Sequence, residues 1–221
     1  MRSDKTLITA FTGLSHRGRR PRNEDCLRWD RELGFAAVAD GLGGHPAGDV
    51  ASRVAIDVVW AALVDAQPSP SSQLTRAVLR AHQAVRTLAA SRADYQNMGT
   101  TLVAALFERD CVHVAHVGDS RLYRLRAGEL HCLTTDHAIS THRLTRALGV
   151  VEALHVDYAI HPRQREDLYL LCSDGLSGSL DHDTLSKLLA GAQPAETLLA
   201  ASLEAGATDN VSLIVAMTKT G

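Results

Sequence analysis

The chain lacks paired cysteines, a long apolar run, a signal-type N-terminus and an extended basic face, and each absence removes a class of protein. Cys26, Cys111, Cys132 and Cys172 are far apart with no Cys-x-x-Cys pair. That spacing excludes zinc-ribbon and thioredoxin-type sites. Cys111 and Cys172 fall inside apolar runs and are expected to be buried, reduced core residues. No stretch approaches the roughly 20 apolar residues of a membrane span. The first residues lack the apolar core and small-residue cleavage site of a signal peptide. A cytoplasmic protein with no membrane partner is therefore expected. Basic residues are scattered over a chain of net charge −2. Arg17, Arg19, Arg20 and Arg22 form the only dense cluster. It makes a short anion-binding loop, too small for a nucleic-acid face, so no nucleic-acid partner is expected.

What is present is an ordinary globular composition, 45% hydrophobic and 22% charged over 221 residues. That length fits a single domain, 1–221, able to bury a core without disulfides or structural metals. A monomer is expected. Within it, five Asp residues stand at sharp turns, most of them ending an apolar run. They are Asp25 in Asn23-Glu24-Asp25, Asp40 before Gly41, Asp119 in Gly118-Asp119-Ser120, Asp174 before Gly175, and Asp209 before Asn210. Hard divalent cations bind carboxylate oxygens held by rigid elements. Strands converging in one core could bring all five to a common rim. The pattern reads as a polynuclear Mg²⁺ or Mn²⁺ site for phosphate-ester hydrolysis.

Alternation and turn signals predict strands at 7–15, 27–30 and 34–40. A helix follows over 47–64, with Val50, Val54 and Val58 at i+4 spacing and Asp49 in its first turn. Ser72 is placed to cap a second helix carrying Leu74, Val78, Ala81, Val85 and Leu88 on one face. Strands are predicted at 100–107, 112–117, 122–126 and 129–133. Residues 134–151 read as irregular or briefly helical. Further strands at 154–160 and 168–172, helices at 183–190 and 195–205, and a strand at 211–217 complete the chain. Tight hairpins imply mostly antiparallel sheets. Two stacked sheets with a helix pair on each outer face, an α+β four-layer αββα sandwich, bury every apolar stripe.

Collinear segments carry a resemblance. They run from Arg20-Pro-Arg-Asn-Glu-Asp25 through Ala39-Asp-Gly-Leu-Gly-Gly-His45, Gly99-Thr-Thr101, Val117-Gly-Asp-Ser-Arg121 and Thr135-Asp-His137. They continue with Arg146-Ala-Leu-Gly149, Leu171-Cys-Ser-Asp-Gly-Leu176 and Thr208-Asp-Asn-Val-Ser212. Together they resemble the metal-dependent type 2C protein serine/threonine phosphatases (the PPM family) in their bacterial single-domain form. That family has the αββα fold. The resemblance implies two Mn²⁺ or Mg²⁺ ions, with Asp40 bridging both, the Gly41 carbonyl completing the second, and Asp174 and Asp209 on the first. Glu24 and Asp25 would hold metal-bound waters. Asp119 would help to bind a third, weaker metal, with Asp174 as its candidate co-ligand. Arg20 would hold the substrate phosphate through a planar fork that pairs two oxygens. A hydroxide bridging the metals would attack phosphorus in line, so no Cys or Ser nucleophile is needed. Phosphorylated proteins, the substrates of a bacterial Ser/Thr kinase, are the implied partners, and some relatives control secretion machines.

Two departures stand out. Many eukaryotic relatives carry His two residues after the bridging Asp as a proposed general acid, and here that residue is Leu42. His45 is a candidate substitute. The family's flap between the Thr-Asp-His and Arg-Ala-Leu-Gly segments is reduced to a few residues, with His137 and His142 expected to pack under it. A more open site follows. His113 and His116 should point to opposite faces of a strand and not be co-ligands. Thr100 and Thr101 are expected to brace the sheet rim, and Asn210 to orient Asp209. Two rival readings stand beside the phosphoprotein phosphatase: a catalytically weak module that binds phosphoproteins, and a small-molecule phosphomonoesterase.

Overall fold

The first and last strands lie side by side along their whole length. In a computed structural model, which describes residues 7–42, 47–66, 69–140 and 143–220, strand β1 (Leu7–His16) pairs antiparallel with the last strand (Val211–Thr220), Leu7 opposite Thr220 and His16 opposite Val211. Between them come β2 (Asp25–Asp30), β3 (Phe35–Asp40), α1 (Gly48–Val64), α2 (Leu74–Ser91), β4 (Leu102–Phe107), β5 (Cys111–Val117), β6 (Arg121–Arg126) and β7 (Glu129–Cys132). Then follow β8 (Ala138–Ser140), β9 (Arg143–Leu144), β10 (Asp157–Pro162), β11 (Leu168–Cys172), the single-turn α3 (Asp174–Ser177), α4 (His182–Leu189) and α5 (Pro194–Glu204). The last strand is β12.

Two five-stranded sheets result, ordered β1-β12-β11-β6-β7 and β10-β5-β4-β3-β2, with every neighbouring pair antiparallel. Successive side chains alternate faces. Val38, Val103, Ala105 and Val114 of one sheet therefore meet Leu122, Tyr169, Leu171 and Ile214 of the other in the middle layer. Ala37, Ala39, Ala104 and Ala115 face α1 and α2 instead. Leu170, Cys172, Leu213 and Val215 face α4 and α5, against Leu185, Leu189 and Leu198. The strands at the centre are covered on both faces, which is why β3 and β4 read as unbroken apolar runs. The α+β αββα sandwich is the observed architecture.

Several local expectations are corrected. The buried stripe of α1 is Ala51, Ser52, Ala55, Ile56, Val59 and Leu63, while Val50, Val54 and Val58 are half-buried on its flank. The small residues of that stripe let the helix lie close on the sheet, and the Ser52 hydroxyl donates to the Glu24 carbonyl at 2.6 Å. Ser72 does not cap α2: its hydroxyl donates to the Ser69 carbonyl inside a 3₁₀ turn, and Gln73 holds the N-cap position. Residues 134–140 and 143–151 contain no helix; β8 and β9 form a small hairpin there. Cys172 is buried, but Cys111 is half-exposed because it opens β5 at a hairpin end.

Candidate active site

Antiparallel pairing decides where the acids go. The ends of β3, β5 and β11 lie at the same edge as the starts of β2, β4 and β12, so residues distant in sequence share one rim. Asp40 ends β3 directly opposite Asp25, which starts β2. Asp119 follows β5, Asp174 follows β11, and Asp209 precedes β12. A cleft of about 360 Å³ is lined by Arg20, Asp40, Gly41, Asp119, Asp174 and Asp209, with Leu42 and Arg143 to Ala147 on its wall. A second cleft of about 610 Å³ shares Asp119, Asp174 and Asp209 with the first, so the acids form a ridge between two open depressions.

Each acid is fixed by its neighbours. The Asp40 N–H donates to Thr101 Oγ1 at 3.0 Å, and the Asp40 carbonyl accepts from Thr100 Oγ1 and the Thr101 N–H, both at 2.8 Å. The two threonines thus brace the rim. Thr101 Oγ1 also bonds Ser120 Oγ at 2.7 Å, linking β3 to the Asp119 turn. That turn is held from its other side by His137, whose Nδ1 accepts from the Gly118 N–H at 3.1 Å and whose backbone N–H donates to the Gly118 carbonyl. His137 is buried and bonds Asp157 through Nε2. Arg121 pairs bidentately with Asp136, at 3.0 Å and 2.7 Å, so the Gly-Asp-Ser-Arg and Thr-Asp-His segments are joined in space. Gly41 needs its missing side chain, since a Cβ there would run into the Gly48 carbonyl. Its N–H donates to the Glu24 carbonyl at 3.1 Å.

Asn210 does more than the sequence suggests. Its backbone N–H donates to Asp209 Oδ1 at 2.8 Å, which orients that carboxylate. Its side chain holds the 17–24 segment: Nδ2 donates to the carbonyls of Arg17 and Arg22, both at 2.9 Å, and Oδ1 accepts from the Glu24 N–H at 2.8 Å. Ser173 and Ser212 were not singled out by sequence. Ser173 Oγ donates to Asp25 Oδ2 at 2.8 Å and accepts from the Ser212 N–H at 3.0 Å. Ser173 precedes α3 at the N-cap position, yet its hydroxyl serves Asp25 instead of the helix. A buried hydroxyl in the otherwise apolar run of β12 was the available signal for Ser212.

Burial and mutual repulsion act together on the carboxyls. Desolvation, opposed by hydrogen bonds from the two serines, lifts Asp25 to about 6. Desolvation and then the charges of Asp25 and Asp174 push Asp40 well above the carboxylate range. Burial, then Asp174 and Asp136, raises Asp119 to about 6. Burial and then Asp49 raise Glu24. Asp25 Oδ1 is buried with no hydrogen-bond partner. Crowded carboxylates that repel one another, with an unsatisfied buried oxygen, are the donor set a pair of hard cations satisfies. All the acids singled out in the sequence converge here, with Arg20. His45 and His142 lie outside the described residues. The flap position holds only the β8–β9 hairpin, with Ile139 exposed on it, and among the described residues no subdomain covers the cleft.

Comparison with known proteins bears on this geometry. A family model for protein phosphatase 2C matches residues 12–211. The serine/threonine protein phosphatase PstP of Mycobacterium tuberculosis is 35% identical over 236 aligned residues, covering 96% of this chain and 45% of that protein. The chain thus spans less than half the length of that relative. A serine/threonine phosphatase of Listeria monocytogenes is 32% identical over 207 residues, covering 80% of this chain and 82% of its own length. The crystal structure of the PstP catalytic domain in complex with two manganese ions superposes with a TM-score of 0.88 at 34% identity, covering 97% of this chain and 100% of that one. With matched sequence across nearly its whole length and the same fold, the chain belongs to the protein phosphatase 2C family.

Proposed function

We propose that the protein is a metal-dependent protein serine/threonine phosphatase, with residues 1–221 acting as one catalytic domain. The observation that carries this reading is the ridge of Asp40, Asp119, Asp174 and Asp209 facing the Arg20 guanidinium in one cleft. Asp40, Asp174, Asp209 and the Gly41 carbonyl would hold two Mn²⁺ or Mg²⁺ ions, Glu24 and Asp25 their waters, and Asp119 a third, weaker ion. Bound there, such ions supply an activated water and neutralise phosphoryl charge. The protein's own part is positioning. Arg20 pairs the phosphoryl oxygens, the buried serines and Asn210 hold the acids to their places, and the ridge projects anionic groups toward where cations belong.

Two open depressions on either side of the acids suit a phosphorylated side chain carried on a polypeptide, which needs room for chain on both sides. Phosphoproteins made by a bacterial Ser/Thr kinase are the proposed substrates. Among the described residues no helix is long and apolar enough to cross a membrane. Four free cysteines also suit the reducing cytoplasm, where we place its action.

The test is hydrolysis of a phosphothreonine peptide, p-nitrophenyl phosphate and a sugar phosphate with Mn²⁺, with EDTA, and in Asp174→Asn. The reading expects peptide turnover that EDTA abolishes and Asp174→Asn lowers at least about 100-fold. Peptide binding without turnover would support a regulatory module. Preference for the sugar phosphate would support a small-molecule phosphomonoesterase.

A further inference from the structure

At the opposite end of β5 from Asp119, the β4–β5 hairpin brings together a donor set of different character. Glu108 lies just past β4, Cys111 opens β5, and His113 follows on the same face of the strand. Cys111 Sγ is 3.3 Å from His113 Nε2, and Glu108 Oε2 is 3.3 Å from the same nitrogen. All three donor atoms lie within 4.8 Å of one another. Ligand atoms around a tetrahedral ion with bonds of about 2.0–2.3 Å stand roughly 3.3–3.8 Å apart, so this triangle needs little change to close on a metal.

The frame is rigid. The Glu108 N–H donates to the Cys111 carbonyl at 2.9 Å, and the buried Arg163 donates to the Glu108 carbonyl at 2.7 Å. Strand β10 flanks the site, with Pro162 opposite Cys111 and Ile160 opposite His113. From β10, Tyr158 Oη lies 2.6 Å from His113 Nδ1. A ring whose Nδ1–H donates to an outer oxygen presents a lone pair at Nε2, as metal-bound histidines do. Cys111 and Glu108 are half-exposed, which leaves a route for an ion.

We propose that Glu108, Cys111 and His113 bind one Zn²⁺, with Tyr158 orienting the imidazole and water completing the tetrahedron. Thiolate and imidazole donors select Zn²⁺ over Mg²⁺ or Mn²⁺, whereas the all-oxygen ridge favours the hard ions. The six-residue step along β5 from Cys111 to Val117 is roughly 20 Å, so this ion takes no part in the reaction at the ridge. Its effect is to pin the turn of the β4–β5 hairpin to the start of β5, with Tyr158 of the edge strand β10 held to it through His113. The inference does not rest on the proposed phosphatase activity.

The test titrates the full chain with Co²⁺ in excess Mg²⁺, which fills the oxygen sites without competing for a thiolate. A thiolate-to-cobalt charge-transfer band saturating at one ion per chain and removed by Zn²⁺ is expected. Cys111→Ser should lack the band, while Cys132→Ser, at an exposed cysteine, should keep it. Tyr158→Phe should weaken Co²⁺ binding about 10–100-fold, and Glu108→Gln, at the half-exposed turn where the fold is least at risk, should weaken it as well. Absence of the band in the wild type, or its survival in Cys111→Ser, would overturn the proposal and leave a hydrogen-bonded polar cluster only.

Discussion

Arg20 donates through Nη2 to Asp209 Oδ2 at 2.7 Å, so the candidate phosphate-binding cation is in contact with a candidate metal ligand. Both side chains are partly open to solvent, at 46% and 37% exposure, so the pair adds little stability. Its consequence is for binding: a phosphate entering the cleft shares the guanidinium with Asp209. Arg20→Lys keeps the charge but loses the planar fork. The expected outcome is a KM for phosphopeptide raised about 10–100-fold, the value of one lost charge-assisted hydrogen bond, with Mn²⁺ affinity changed far less. Steady-state kinetics alongside Mn²⁺ titration checks the split.

Asn210 ties the 17–24 segment to the Asp209 turn through three side-chain hydrogen bonds and is 4% exposed. Asn210→Ala leaves two backbone carbonyls and one N–H to find other partners. Stability is expected to fall by about 2–3 kcal/mol in urea denaturation, and turnover to fall because Arg20, Glu24 and Asp25 lose their anchor. Unchanged turnover in a folded Asn210→Ala would show that the segment holds its place without this residue.

Asp119 gives a pH signature. Its folded carboxyl keeps a proton up to about pH 6, against about 3.9 in an unfolded chain. Between those values the folded state holds more protons, so this group's contribution to metal-free stability falls as pH rises. In EDTA, Asp119→Asn should exceed the wild type by up to about 3 kcal/mol at pH 7.5 and converge with it below about pH 4. Denaturation across that range measures the gap, and a gap independent of pH would count against a carboxyl raised by burial and by its acidic neighbours.

Burial of the acids and their mutual repulsion also predict that cations stabilise the fold. Mn²⁺ at about 100 times its Kd should add about 2.7 kcal/mol at pH 7.5, and Asp40→Asn should lose most of that increment. Thermal melting with and without EDTA is the measurement.

Gly175 follows Asp174 in α3, and a Cβ there would collide with the Asn210 carbonyl, a backbone atom that cannot swing aside. Gly175→Ala should cost about 1–3 kcal/mol by forcing α3 from the start of β12. Activity should fall more steeply, by about 100-fold, because Asp174 and Asp209 are displaced relative to each other. Comparing melting with turnover separates the two effects.

Much of this was written in the linear chain. Turn residues beside Asp, and apolar runs of strand and helix period, are local signals, so the strands of the two large sheets, four of the helices and the αββα order were legible from residue type alone, whereas the β8–β9 hairpin was not. The acids themselves were legible as well, because each stands at a turn where a strand begins or ends. What the chain could not state is which atoms those turns would meet. That Ser173 would serve Asp25 instead of capping α3, that Asn210 would hold a loop nearly two hundred residues away, and that Arg20 would lean on Asp209 are outcomes of antiparallel pairing and sheet stacking, which bring remote segments within hydrogen-bond reach. The side of α1 that is buried and the meeting of Glu108, Cys111 and His113 across a hairpin were likewise decided by packing, since periodicity marks a face only approximately and spacing along a strand says nothing of what the turn returns beside it.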